Sequence, residues 1–383
     1  MLRITLIVFF IAIIVSGCAD NFHTYDPAWD ELSDTTAVFT APPTKITIKN
    51  RILYIDSQRY IIRGFIYNPV PIGYAPGDMP YLEDKSILDR DFESMRSIKT
   101  TSIRVPLKVS SSNLLDAAYN YHSLPIYVIL DFPVDPRTNL GNPSVQENIR
   151  AELIEYVVRY KYHDGLLGFC IGNNINRDYK GDRKDWYKLL ALLTKTAKEV
   201  DDSGKGHIIM TANYGIEEIG KKEFSASDEE LAYLDCWGIN ISDGRWPIGQ
   251  ASNAFGRSGK VICVTEYGID SFKTTETGGE TDEETQSRWI GQYANSLEAA
   301  EYVVIGGFIN SYCDGWWYGG SMSEQDYRFG YTTVTQPDNF ANYEFFGICY
   351  IEKNNQNEDS YVDKVRPKKA WYALEAIWTG HGH

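Results

Sequence analysis

Positive charge is what this sequence is short of. Its 37 Lys and Arg face 52 Asp and Glu, a formal net charge of −15 over 383 residues. Nothing supplies the basic footprint that a phosphate backbone requires, so nucleic acid is excluded as a partner. Histidine is sparse: the six are scattered, and His381 and His383 are expected to belong to a frayed terminus. No His or Cys spacing matches a metal site, and no Gly-rich phosphate loop follows any strand-like run, so neither metal nor organic cofactor is expected. Internal repeats and low-complexity blocks are also missing. Cysteine is scarce and unpaired in spacing. Apart from Cys18, the five residues Cys170, Cys236, Cys263, Cys313 and Cys349 each lie in an apolar or aromatic run. That favours buried thiols over a disulfide framework, with one disulfide between two of them left open.

A comfortable membrane span is missing too. The apolar run at residues 4–15 falls short of about 20 residues, and it follows a short basic Met1-Leu-Arg3. It ends in Val15-Ser-Gly-Cys18, which resembles a bacterial lipobox. That resemblance implies lipidation at Cys18, which becomes the new first residue; an ordinary cleaved signal peptide is the alternative. Ala19, where Asp would signal retention at the inner membrane, leans the expectation towards the outer membrane. Residues 19–44, rich in Asp, Thr, Pro and Ala, read as a tether. The expected layout is a lipoprotein signal over 1–17, a tether over 18–44 and one domain over 45–383.

What the chain does have is aromatic surface and alternating secondary structure. Aromatic residues make up 14%, with 27 Tyr and 9 Trp, which suits either a sugar-binding groove or a large core. Residues 45–63 alternate apolar and polar around two turn signals, Lys49-Asn-Arg51 and Asp56-Ser-Gln58, and predict a β-hairpin at the start of the domain. Strand-like runs follow at 61–67, 101–107, 125–132, 166–172, 207–213, 234–240, 261–266 and 303–310. Amphipathic stretches lie between them at 86–98, 145–162, 184–200 and 283–300, and a last helix is expected at 368–378. Eight βα units predict an α/β fold, a single (β/α)8 TIM barrel preceded by a short hairpin, ahead of an open doubly wound sheet. The acidic, Gly-containing stretch 274–285 reads as a solvated loop.

The seventh strand carries the residue that needs explaining. In Val261-Ile-Cys-Val-Thr-Glu-Tyr-Gly268 a buried apolar run stops at Glu266, the end of a strand where barrel enzymes keep their chemistry. Polar residues gather at the other strand ends: Tyr67 and Asn68, Arg104, Asp131, Asn173 and Asn174, Asn213 and Tyr214, Asn240 and Ser242, and Asp314 with Trp316 and Trp317. In a barrel they would share one mouth, where amides, an Arg, carboxylates and Trp suit a hydroxyl-rich ligand. Arg104 is also placed to pair with Glu266 and keep it ionised.

Several of these motifs, in this order, are familiar. Ile62-Arg-Gly-Phe-Ile-Tyr-Asn-Pro69, Arg104, Leu167-Gly-Phe-Cys-Ile-Gly-Asn-Asn174, Val264-Thr-Glu-Tyr-Gly268 and Gly306-Gly-Phe-Ile-Asn-Ser-Tyr-Cys-Asp-Gly-Trp-Trp317 look like the retaining glycoside hydrolases of clan A. Phe345-Phe-Gly-Ile-Cys-Tyr350 and Arg366-Pro-Lys-Lys-Ala-Trp-Tyr372 extend the likeness. The nearest relatives in style are the family 2 barrels and the family 72 β-1,3-glucanosyltransferases, and the resemblance covers residues 45–378. It implies that Glu266 stands in the nucleophile position and that Asn173 contacts the sugar 2-hydroxyl. Arg104, Tyr67, Asn240, Asp314, Trp316 and Trp317 are then candidate substrate contacts. It suggests an oligo- or polysaccharide partner, with β-glucan named by the family alone.

The likeness breaks where a glycosidase can least spare it. The strand-four motif should end Asn-Glu, with Glu as general acid/base, and here it ends Asn173-Asn174. An amide performs neither proton transfer, and losing a general acid costs about 10²–10⁴ in rate. The Tyr often found two residues beyond the strand-six Asn is also replaced, by Ser242. Two expectations follow: a carbohydrate-active enzyme with impaired hydrolysis, in which Asp178 or Asp314 would have to stand in as acid, or an inactive glycan-binding module. A lipoprotein that uses the barrel for protein contacts alone leaves the Trp-rich mouth unexplained.

Overall fold

A computed structural model describes residues 44–120, 123–241, 244–354 and 362–380. The expected signal, Cys18 and the tether lie outside the described residues, as do Ser242, His381 and His383.

Eight parallel strands close into a barrel. They are β1 (Ile62–Ile66), β2 (Ser102–Val105), β3 (Tyr127–Phe132), β4 (Leu166–Asn173), β5 (Ile208–Tyr214), β6 (Cys236–Ile241), β7 (Val261–Tyr267) and β8 (Gly306–Ile309). Each pairs with its neighbour in sequence, and β8 returns to β1. Every one falls within two or three residues of a run expected from β-branched and apolar composition, because strands buried on both faces must be apolar almost throughout.

Helices cover the outside: α1 (Lys85–Ser97), α2 (Asn113–Tyr119), α3 (Pro143–Tyr160), α4 (Arg183–Val200), α5 (Pro247–Arg257), α6 (Glu283–Ala299) and α7 (Lys369–Thr379). In α4, Asp182 caps the backbone amide of Lys184, and Trp186, Leu189, Leu190, Leu193 and Ala197 recur at helical spacing to form the buried face. Between β5 and β6 the described chain has only a short 3-10 turn, Lys222–Phe224. The stretch expected as a solvated loop is instead a ribbon, Phe272–Thr275 paired with Gly278–Thr281, followed by the Asp282 cap of α6. Its alternating burial shows why charge alone misled: Lys273 and Thr275 face out while Phe272 packs in a stacked pair with Tyr327.

Ahead of the barrel, Ile46–Lys49, Ile52–Ile55 and Gln58–Arg59 make a three-stranded ribbon. Its two-residue turns place Asn50, Arg51, Asp56 and Ser57 all at positive φ, as primed hairpin turns require. Ile46, Leu53 and Ile55 join Ile129, Leu167, Cys170, Met210, Cys263 and Phe308 in the core that fills the barrel. The ribbon therefore plugs one end, and the Ile46 amide donates to the carbonyl of Lys205 at 2.7 Å. The five described cysteines are all buried.

Candidate active site at the barrel mouth

Two irregular registers aim the central residues. Along β6 and β7 the pairing runs from Val261 beside Cys236 to Val264 beside Ile239, then slips so that Glu266 lies beside Asn240. Between β4 and β5 a second slip falls between Cys170 and Asn173. Gly172 sits there at φ +73°, and a Cβ on it would meet the Trp186 ring at 2.5 Å, so this bend needs glycine. Bulges of this kind re-aim side chains at strand ends.

The result is one hydrogen-bonded network across five strands. Glu266 Oε1 accepts from Arg104 Nη1 at 3.3 Å and from Asn173 Nδ2 at 3.2 Å. Asn240 Nδ2 donates to both Asn173 Oδ1, at 2.6 Å, and Asn174 Oδ1, at 2.9 Å, while its own Oδ1 accepts from Thr265 Oγ1 at 2.7 Å. Arg104 gives its shorter contacts to Asp131, Nε to Oδ1 at 2.9 Å and Nη2 to Oδ2 at 2.7 Å. Burial pushes the Asp131 carboxyl up to about 6 in spite of Arg104. For Arg104, burial works against the charge, but Asp131 first, with Cys170 and then Glu266 behind it, more than offsets it and holds the guanidinium above its ordinary range. The bidentate pair stays ionised at neutral pH. Glu266 is the exception among these acids: its side chain is 13% exposed, and among the described residues no donor reaches Oε2.

Asn174 holds the left-handed conformation, φ 57° and ψ 18°, and starts the one-turn helix Ile175–Asp178. Its amide is tied to Asn240, so the position expected to carry an acid carries a neutral group inside the network. Asp178, the nearby alternative, is paired with Arg177 at 2.7 Å.

The other expected residues divide. Trp316 and Trp317 are both partly exposed, and the buried Trp316 Nε1 has no protein acceptor among the described residues. Tyr67, expected at the mouth, is fully buried; its hydroxyl donates to Asp91 Oδ2 at 2.9 Å and its ring packs on Phe92 and Tyr312. Asp314, expected as a sugar contact or substitute acid, is also buried, with Lys368 Nζ at 2.6 Å from Oδ1. Neither side chain is open to a ligand as it stands. Tyr67 directly follows β1 and Asp314 lies five residues beyond β8, both outside the strands, so the period-two alternation of strand side chains does not say which way they point.

Further residues absent from the sequence reading are Tyr318, Tyr343, Asn176 and Arg177. The Tyr318 hydroxyl is pushed up to about 12, first by the protein packed around it and then by the Glu266 charge, although the residue as a whole is 45% exposed. Tyr343 is raised as well, by burial first, with Arg177 opposing it and Glu266 among the lesser contributors. Asn176 holds the backbone of Tyr214 from both sides, Nδ2 to the carbonyl at 3.0 Å and the amide to Oδ1 at 2.9 Å, and Arg177 lies 4.6 Å over the Tyr214 ring. Only the density of Tyr between residues 312 and 350 hinted at this wall. A cavity of about 820 Å³ lies elsewhere, on the flank between α1 and α2 beside Leu88, Asp89, Arg96 and Asp116, and the residues around Glu266 do not line it.

No protein-family model matches this sequence, and no curated protein matches it either. Solved structures do match in fold. A β-D-glucuronidase from Dictyoglomus thermophilum superposes with a TM-score of 0.60 at 14% identity over 88% of this chain and 53% of its own. A GH2 β-galacturonidase from Eisenbergiella tayi, bound to glycerol, gives 0.60 at 15% identity over 89% and 54%. A β-glucuronidase from Parabacteroides merdae gives 0.60 at 16% over 88% and 39%. The chain thus spans roughly two fifths to just over half of the length of these proteins, and what it shares with them is the fold.

Proposed function

We propose that this chain is a carbohydrate-active protein of the retaining clan A kind, with Glu266 in the nucleophile position and Asn174 where the acid/base carboxylate belongs. The observation that carries this is the Glu266 carboxylate itself, held on one oxygen by Arg104 and Asn173, with no donor to the other among the described residues. In a retaining mechanism that second oxygen attacks the anomeric carbon as the glycosidic C–O bond breaks, and an acid protonates the departing oxygen. Asn174 has no acidic proton to give, Asp314 is buried against Lys368, and Asp178 is paired with Arg177. Sugars whose leaving group departs as a stable anion remain within reach of Glu266 alone, while hydrolysis of ordinary glycans is impaired. The ligand is an oligo- or polysaccharide; β-glucan is the family's suggestion.

The second reading, a glycan-binding module without chemistry, draws on the same amide at Asn174. Arg104, Asn173, Asn240, Trp316 and Trp317 serve a ligand in either case. We further propose the layout read from sequence: signal over 1–17, lipid on Cys18, tether to 44, barrel from 45, and a place in the bacterial envelope with the outer membrane favoured. Metabolic labelling with an alkynyl fatty acid should mark the protein and fail to mark Cys18→Ala.

Incubation with activated 2-fluoro β-glycosides of a range of sugars, followed by intact mass spectrometry, tests the catalytic reading. A gain of one glycosyl unit, lost in Glu266→Gln, is expected. Absence of any adduct while glycans still bind would hand the site to the binding reading.

A further inference from the structure

Between β8 and α7 the chain makes its longest excursion, and this holds a band of rings that the Glu266 network does not use. Trp317, Tyr318, Tyr343 and Phe329 follow one another at centroid separations of 4.9, 5.8 and 5.9 Å, with tilts of 32°, 32° and 47°. Rings gathered only to make a small core would be hidden. These are not: Tyr318 is 45% exposed and Tyr343 and Phe329 are 39% exposed, and a contiguous open patch of this kind marks a binding surface. The band begins at Trp317, in the segment that follows β8, and β8 pairs directly with β7, the strand that carries Glu266.

It is also fixed in place. Glu344, fully buried beside Tyr343, accepts the backbone amides of Gly319 and Asp326, which ties the ribbon formed by Gly330–Thr332 and Phe340–Asn342 to the loop carrying Tyr318. Gln325 Nε2 donates to the Glu344 carbonyl at 3.0 Å, and Asn342 Oδ1 accepts the Glu344 amide at 3.2 Å. A platform ordered in advance spares a ligand the cost of ordering it. Its charge is balanced: Arg177 and Arg328 are each paired with a carboxylate, Asp178 and Asp326.

We propose that this band is a row of stacking subsites for an uncharged oligosaccharide of several units, running from the unit at Glu266 past Tyr318 and Tyr343 to Phe329. The inference rests on the carbohydrate reading above and adds chain length and charge to it. Each ring offers an apolar face to the C–H face of a sugar, and the Tyr residues add a hydroxyl at the edge.

Calorimetry on the full chain tests it, with β-1,3- and β-1,4-linked gluco- and xylo-oligosaccharides from one to five units beside the matching uronic acid series. In one neutral series affinity is expected to climb at least about tenfold from one unit to three and then level off. Phe329→Ala and Tyr343→Ala should each remove about tenfold of the trisaccharide affinity, while Phe329→Trp, which keeps a ring, retains it. Thermal unfolding of each variant separates lost contacts from lost folding. Flat dependence on length, tighter binding of the acidic series, Ala variants that bind like the parent, or no binding in any series overturns the proposal. Labelling of Glu266 separates the two readings. An adduct with flat length dependence removes the band and keeps the nucleophile; length-dependent binding without an adduct does the reverse.

Discussion

Two clusters of buried charge stand at the ends of these strands, and they spend their hydrogen bonds differently. Around Asp314 everything is taken: Lys368 Nζ reaches Asp314 Oδ1 at 2.6 Å and Ser271 Oγ at 2.9 Å, and the two charged side chains are 1% and 0% exposed. Around Glu266 the cation is committed elsewhere. Arg104 binds Asp131 through two short contacts and reaches Glu266 only at 3.3 Å, and among the described residues no donor reaches the second Glu266 oxygen. A buried charge paired on every side is part of the scaffold; one with an unspent oxygen at a strand end is available for chemistry. Sequence position does not separate the two, because both acids follow apolar strands.

The sharpest way to exploit the difference is to return the missing proton donor. Asn174→Glu is expected to raise the hydrolysis rate of alkyl β-glycosides by about 10²–10⁴, the usual contribution of a general acid. The left-handed backbone at position 174 opposes Glu by about 1 kcal/mol, a loss that urea unfolding reads separately. An unchanged rate would mean that more than the acid is missing from the Glu266 side.

Next come the two cations. Lys368→Met leaves Asp314 buried without a counter-charge and should cost about 3–5 kcal/mol in urea unfolding. Labelling of Glu266 should continue wherever the variant remains folded. Arg104→Lys keeps a charge but loses the fork to Asp131, so a smaller loss of about 1–3 kcal/mol is expected. Here labelling should slow, because the donor to Glu266 moves. If both variants changed labelling equally, the contrast between the clusters would collapse.

That contrast also measures what could be read in advance. All eight barrel strands were legible, since a strand buried on both faces announces itself by composition, and Glu266, Asn173, Asn174, Asn240 and Arg104 do meet in one network. Tyr67 and Asp314 were legible as strand-end residues but not in direction. For Asp314 the deciding partner, Lys368, lies 54 positions away and reveals itself only in three dimensions. The Tyr318, Tyr343 and Phe329 band escaped because its rings come from an irregular excursion with short ribbons, where no period links sequence to surface.

The smallest effect concerns how that excursion is fastened to β7. Asp270, four residues past Glu266, accepts the amides of Phe272 at 3.0 Å and Asn342 at 3.1 Å, and burial pushes its carboxyl up to about 7 from an ordinary 3.8. With the folded value above the unfolded one, the folded chain binds this proton more tightly. The group's stabilising contribution is therefore complete below the unfolded value and is lost as pH rises through about 7. Asp131, raised to about 6, acts in the same direction, but its window closes about one unit lower. Urea midpoints measured from about pH 6.5 to about pH 8 should thus fall with pH mainly through Asp270, and the slope should flatten in Asp270→Asn. If the slope persisted in that variant, the joint between β7 and the aromatic excursion would be insensitive to pH. The two regions would then share one rigidity, and the band beside Glu266 could not be loosened independently of the network that holds the carboxylate.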